Sequence, residues 1–139
     1  MTHKIIGKYI KKLKFNIPNP KTFFLLSKDI ANYKINIDIK SNQVKHKIIE
    51  VLTTLSLSPI KNDFEKIDTM IIFSAIIELD DEKLAKKDME KIILIDVPSK
   101  VYPELRNIFI SLFENSGFKD VKISKSVDFE KLYKMKKIQ

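Results

Sequence analysis

No cysteine, no tryptophan, one arginine and two glycines occur in 139 residues. Without cysteine there is no thiol nucleophile, no thiolate zinc site and no disulfide scaffold. Two glycines, Gly7 and Gly117, are too few for a loop that cradles phosphates, and neither Gly-x-Ser-x-Gly nor His-Glu-x-x-His occurs. The two histidines, His3 and His46, are isolated, with no carboxylate at ligand spacing. The acidic run Asp80-Asp81-Glu82 lacks the spacing and loop glycine of an EF-hand, and suits a helix N-terminus instead. These absences argue against an enzyme and imply neither metal nor cofactor. No apolar run approaches the ~20 residues of a membrane helix. The segment Met1 to Gly7 alternates in polarity too early for a signal peptide. The expectation is a soluble cytoplasmic protein with no membrane insertion.

What is abundant is lysine. The net charge is +8, with 25 lysines against the single Arg106. Such a charge attracts phosphate and raises a nucleic-acid-binding module as one reading. Base and phosphate recognition favours arginine forks, however, and the lysines are spread over every segment. A solvated basic surface, with Ile, Lys and Asn all enriched by composition, therefore ranks above it.

The length is that of one domain, taken as 1–139. Four strands come first, at about 4–17, 33–40, 46–58 and 64–79. In the first, Tyr9, Leu13, Phe15 and Ile17 alternate with lysines and Asn16, and Pro18-Asn19-Pro20 ends it. Ile35, Ile37 and Ile39 alternate cleanly with Asn36 and Asp38, and Ser41-Asn42-Gln43 supplies a turn. In the fourth, Ile71, Phe73, Ala75, Ile77 and Leu79 form one apolar face, yet Met70, Ile72 and Ile76 make the other apolar too. A strand apolar on both faces is buried on both or meets a partner, so those three residues are the candidate oligomer interface. Helices follow at about 82–95, 100–116 and 128–137. The second has the spacing Leu105, Ile108, Phe109, Leu112, Phe113 and stops at Ser116-Gly117. Asp128 caps the third, with Val127 and Leu132 placed as a hydrophobic staple. Strands followed by helices predict an α+β fold, a four-stranded antiparallel sheet with helices on one face.

Two features remain. Phe23-Phe24-Leu25-Leu26 is apolar where a polar crossover is expected between strands. It either completes the core or lines a groove for an extended segment. The other is Pro98-Ser-Lys-Val101-Tyr102-Pro103-Glu-Leu-Arg106, with two prolines five apart, read as a helix entrance.

Across nearly its whole length the chain resembles the SecB family of protein-export chaperones. The resemblance is carried by Tyr9-Ile-x-x-Leu13-x-Phe15-x-x-Pro18-Asn19, Ile35-x-Ile37-Asp38-Ile39 and Glu50-Val51-x-x-x-Leu55-x-Leu57. It is carried further by Pro98-x-x-Val101-Tyr102-Pro103-x-x-Arg106 and Val127-Asp128-Phe129-x-x-Leu132-Tyr133. Pro98, Tyr102, Pro103 and Arg106 form its most distinctive stretch, for which a structural role is expected, with Arg106 paired to a carboxylate. The resemblance implies an ATP-independent homotetramer, a dimer of dimers, that binds unfolded clients in apolar grooves for the Sec export pathway. By position the groove residues would be Phe23, Phe24, Ile35, Ile37, Ile39, Leu132 and Tyr133. The family docks its SecA motor through carboxylates. Their positions fall at Lys12 and Asn16, and on the fourth strand at Asp68 and Met70. That departure raises a second expectation, a SecB-like chaperone dedicated to another client, such as an antitoxin of a toxin–antitoxin system.

Overall fold

The computed structural model describes residues 3–29, 33–59, 68–80, 83–119, 121 and 123–138. In chain order the elements are β1 (His3–Asn16), α1 (Pro20–Asp29), β2 (Tyr33–Lys45), β3 (Ile48–Pro59), β4 (Asp68–Leu79), α2 (Lys86–Lys91), α3 (Val97–Asn115) and α4 (Phe129–Ile138). The strands form one antiparallel sheet in the order β1-β4-β3-β2. β1 and β2, neighbours in sequence, thus lie at opposite edges. The expected start of the fourth strand at Phe64 and of the first long helix at 82 fall outside the described residues.

Alternation sets the two faces of the sheet. Val51, Leu55 and Leu57 of β3 and Ile71, Phe73, Ala75, Ile77 and Leu79 of β4 are buried under Val101, Leu105, Phe109 and Phe113 of α3. Each of the larger side chains removed from water contributes about 2 kcal/mol. Among the described residues the opposite face carries no helix, and Met70, Ile72 and Ile76 lie on it half-buried. β1 departs from the expected alternation. Its register shifts between Ile5 and Gly7 and again between Ile10 and Lys12. Each bulge adds an unpaired residue and flips the following side chains. Tyr9 therefore pairs with Ser74 on the helix-free face, whereas Leu13 and Phe15 pair with Ile71 and Thr69 on the helix side.

The apolar crossover is a helix. Pro20 supplies its pre-set φ, and the Asn19 side-chain oxygen accepts the Thr22 N–H at 2.8 Å, capping the first turn. Leu26 is buried and Phe23 packs on Phe118, so that side completes the core, while Phe24 stays 62 % exposed. The turn expected at Ser41–Gln43 is strand instead. Those residues pair with Val51, Glu50 and Ile49, and the chain reverses at His46–Lys47, where Lys47 has φ 63°. Polar residues at a strand's exposed end mimic a turn in composition.

The proline stretch is not a helix entrance. α2, a π-helical turn at Ile92–Asp96 and α3 run on without a break, with Pro103 inside α3. In the π turn the Val97 N–H donates to the Ile92 carbonyl, five residues back. Pro98 follows immediately. A proline ring in a regular α-helix clashes with the carbonyl four residues earlier, and the wider π turn relieves that crowding. The break expected between residues 95 and 100 is therefore absent. The N-cap of α2 is Ala85, and of the acidic run at residues 80–82 only Asp80 lies within the described residues. The far end behaves as the sequence indicates. Gly117 takes φ 98°, and the Phe118 N–H returns to the Phe113 carbonyl at 3.0 Å.

Candidate functional site

Along the β2 edge of the sheet, on its helix side, lies a partly open groove of about 180 Å³. Ile37 and Ile39 form one wall because period-2 alternation points both toward the helices. Leu94, from the π turn, contributes the floor. The opposite wall is α4, which presents Phe129, Leu132 and Tyr133, with Met135 at the mouth. Leu132 and Met135 are 38 % and 52 % exposed, so apolar surface is left uncovered. A second hollow continues the groove past Leu94, between Ser41 and the side chains of Leu84, Met89 and Ile93.

The wall formed by α4 is held in place by the proline stretch. The Tyr102 hydroxyl donates to the Ser124 carbonyl at 2.7 Å, and Arg106 Nε donates to the Ile123 carbonyl at 3.0 Å. Burial raises the Tyr102 phenol above its ordinary value, against the opposing effect of Arg106, which keeps it a donor. The Phe129 ring meets Tyr102 edge-on at 6.0 Å. Asp128 then caps α4, accepting the Lys131 N–H at 3.0 Å, as the sequence indicates. Arg106 thus clamps a backbone carbonyl where a carboxylate partner was expected. At the groove's polar point the Tyr133 hydroxyl donates to Glu90 at 2.6 Å.

Of the residues named from the sequence, Ile37, Ile39, Leu132 and Tyr133 are brought together in this groove. Ile35 shares their face of β2 and packs against the core as they do, but it does not line this hollow. Phe23 lies against Gly117 and Phe118, and Phe24 points to solvent from α1, so neither lines the hollow. Sequence reasoning missed Leu94 and Glu90. Leu94 sits in the run Ile92-Ile93-Leu94-Ile95, whose facing depends on a π turn that no 3.6-residue pattern reveals.

A polar cluster occupies the helix-free face. Glu50 accepts hydrogen bonds from the Tyr9 hydroxyl at 2.6 Å, Ser74 Oγ at 2.7 Å and Lys11 Nζ at 3.1 Å. The Tyr9 and Ser74 hydroxyls, joined by Lys11, overcome the effect of burial and hold its carboxyl at about 2. Beside it, Lys12 pairs with Ile72 and Asn16 with Asp68 on the same exposed face. His3 is buried opposite Leu79, and His46 is exposed in the hairpin turn. Among the described residues no three His, Asp or Glu side chains converge to hold a metal. No helix among them is long and apolar enough to cross a membrane. The groove offers apolar contact rather than reacting groups.

Comparison with known proteins agrees with this architecture. The structure superimposes on a SecB-like chaperone of Mycobacterium tuberculosis, solved in complex with a ChAD peptide from an antitoxin. The TM-score is 0.66 at 10 % identity, covering 91 % of this chain and 88 % of that one. A putative protein-export protein SecB of Pelagibacter ubique is 42 % identical over 134 residues, 96 % of each chain. A protein-export protein SecB of Rhodospirillum rubrum is 29 % identical over 135 residues, 94 % of this chain and 79 % of that one. The family model described as preprotein translocase subunit SecB matches residues 1–139, and the chain belongs to that family.

Proposed function

We propose that this chain is an ATP-independent cytoplasmic chaperone that holds unfolded preproteins in its apolar groove and keeps them competent for Sec export. The observation that carries the reading is the groove itself, in a member of the SecB family. Ile37, Ile39, Leu94, Leu132 and Tyr133 offer contiguous apolar surface beside an unpaired strand edge, and no catalytic group is set among them. Apolar burial is non-directional, so one groove accepts many sequences and keeps each from aggregating.

The test is aggregation of a chemically denatured, unrelated protein, followed by light scattering. The wild type should suppress it, and Ile37→Asp or Leu132→Asp should weaken suppression about tenfold or more, because a charge then faces apolar client surface. Phe24→Asp reports whether α1 extends the site. Full suppression by both groove variants would place the clients elsewhere.

A second reading, a chaperone dedicated to one client such as an antitoxin, has a specific observation in its favour. The positions where the family resemblance places motor-docking carboxylates are Lys12 and Asn16, both exposed on the helix-free face. Affinity capture of the protein with its natural partner separates the readings: a mixed population of precursors with SecA supports export, and one stoichiometric small protein supports dedication.

A further inference from the structure

The sheet face that carries no helix among the described residues changes in chemistry from strand to strand. Its two central strands, β4 and β3, present Met70, Ile72 and Leu52, all half-buried. Its outer strands present lysine: Lys12 and Lys14 on β1, and Lys34, Lys40 and Lys45 on β2, all exposed. Two carboxylates of this face are already matched, Glu50 by its three donors and Glu78 by Lys4 at 3.2 Å. Asp38 and Asp68 are exposed there too, and are outnumbered by those five lysines. None of the five is engaged in an ion pair among the described residues. An apolar floor thus runs between two basic rims.

The spacing selects what lies there. Three strand intervals separate β1 from β2, about 14 Å in all. An α-helix with its side chains is about 10–12 Å across, so one laid along the strands fits between the rims. Its apolar stripe reaches the floor, and acidic residues flanking that stripe meet lysine on either side. A flat bilayer would rest on the lysine tips and leave Met70, Ile72 and Leu52 uncovered, as would a phosphate backbone. A second copy of the chain brings the same excess of lysine and sets like charges together. We infer that the helix-free face is a docking surface for an acidic amphipathic helix of a partner protein. Such a partner carries the opposite charge to one held by carboxylates. Its binding is independent of client holding, because the apolar groove lies on the other side of the sheet.

The experiment uses three capped, fluorescein-labelled helical peptides, read by fluorescence anisotropy. One has a leucine stripe flanked by glutamate, one the same stripe flanked by lysine, and one an alanine stripe flanked by glutamate. Expected is binding of the first about tenfold tighter than of the other two, weakening as salt is added. The exposed pair Lys12→Glu/Lys14→Glu should lower its affinity about tenfold while still suppressing aggregation of a denatured protein as the wild type does. Ile37→Asp, on the other face, should bind the first peptide undiminished. Equal affinity for the glutamate and lysine peptides, or no loss in Lys12→Glu/Lys14→Glu, overturns the assignment. Loss of peptide binding in Ile37→Asp would place the helix in the groove, and loss of aggregation suppression in the lysine variant would make this face a client site; either result overturns it. No binding of the glutamate peptide overturns it as well, in favour of a membrane if phosphatidylglycerol vesicles bind instead, or of a nucleic acid if single-stranded RNA does.

Discussion

Glu50 shows how much a single residue decides on the helix-free face. Three donors converge on its carboxylate, and they come from two neighbouring strands, Tyr9 and Lys11 from β1 and Ser74 from β4. Its folded pKa of about 2 lies below the ordinary value of 4.5, so the native state binds fewer protons than the unfolded state between those limits. Stability from this cluster is complete above pH 4.5 and falls as pH drops toward 2, by up to about 3 kcal/mol. Urea midpoints for the wild type and Glu50→Gln should therefore converge on acidification through that window; parallel curves would contradict the assignment. Tyr102→Phe should cost about 1 kcal/mol, the net worth of one hydrogen bond, again read from urea unfolding. It should also weaken client holding, since Ser124 leads into α4. The sequence alone singled out Tyr102 and Arg106 but not their acceptors. Carbonyls of a chain segment with no regular structure leave no trace in residue type.

At the level of elements, alternation made β2, β3 and β4 legible, because each buries one face against helices. The 3.6-residue stripe likewise marked α3, and Asp128 marked the start of α4. α1 was hidden because four consecutive apolar residues carry no clear period, and its cap, Asn19, stood between prolines read as a stop. The continuity of α2 with α3 was hidden for a related reason, since prolines usually end helices and a π turn has no signature of its own. That turn carries a prediction. Pro98→Ala restores an N–H and removes the ring clash, so the helix should relax toward regular α register, with a gain in thermal stability. Losing the extra residue of the π turn rotates α2 by about 100° relative to α3, one residue's turn. Leu94 would then leave the groove floor and client holding would fall. A variant structure retaining the π turn would argue that packing, rather than Pro98, maintains it.

For the whole molecule, the first uncovered apolar surface lies opposite the helices. Met70, Ile72 and Ile76 are half-buried there, and at the β1 edge Ile10 and Leu13, which pair with Phe73 and Ile71 on the helix side, add a second apolar surface, each more than 40 % exposed. Covering the second with further copies of the chain accounts for it, and the expected assembly is a tetramer of about four times 16.3 kDa by multi-angle light scattering. A stable monomer would mean that this surface serves another partner. Of the groove, Ile37, Ile39, Leu132 and Tyr133 were indicated by the family resemblance, while its floor and the Glu90–Tyr133 hydrogen bond were not, because both depend on how α2 is turned about the π segment.

The strand order has a consequence for how the chain reaches this state. β1 is synthesised first, yet its neighbour is β4, and their paired residues are more than fifty positions apart. β2, β3 and β4 each pair with a strand next in sequence, whereas β1 must close a loop of some fifty residues before it can dock, which costs about 1–2 kcal/mol more in entropy. During that interval Ile5, Ile10, Leu13 and Phe15 are exposed on an unpaired strand. Lys4, Lys8, Lys11, Lys12 and Lys14 are interleaved with them, and lysines on an open strand oppose its pairing with other chains. Part of the basic charge is thereby accounted for by the needs of a nascent chain, in which the first strand to emerge is the last to find its place.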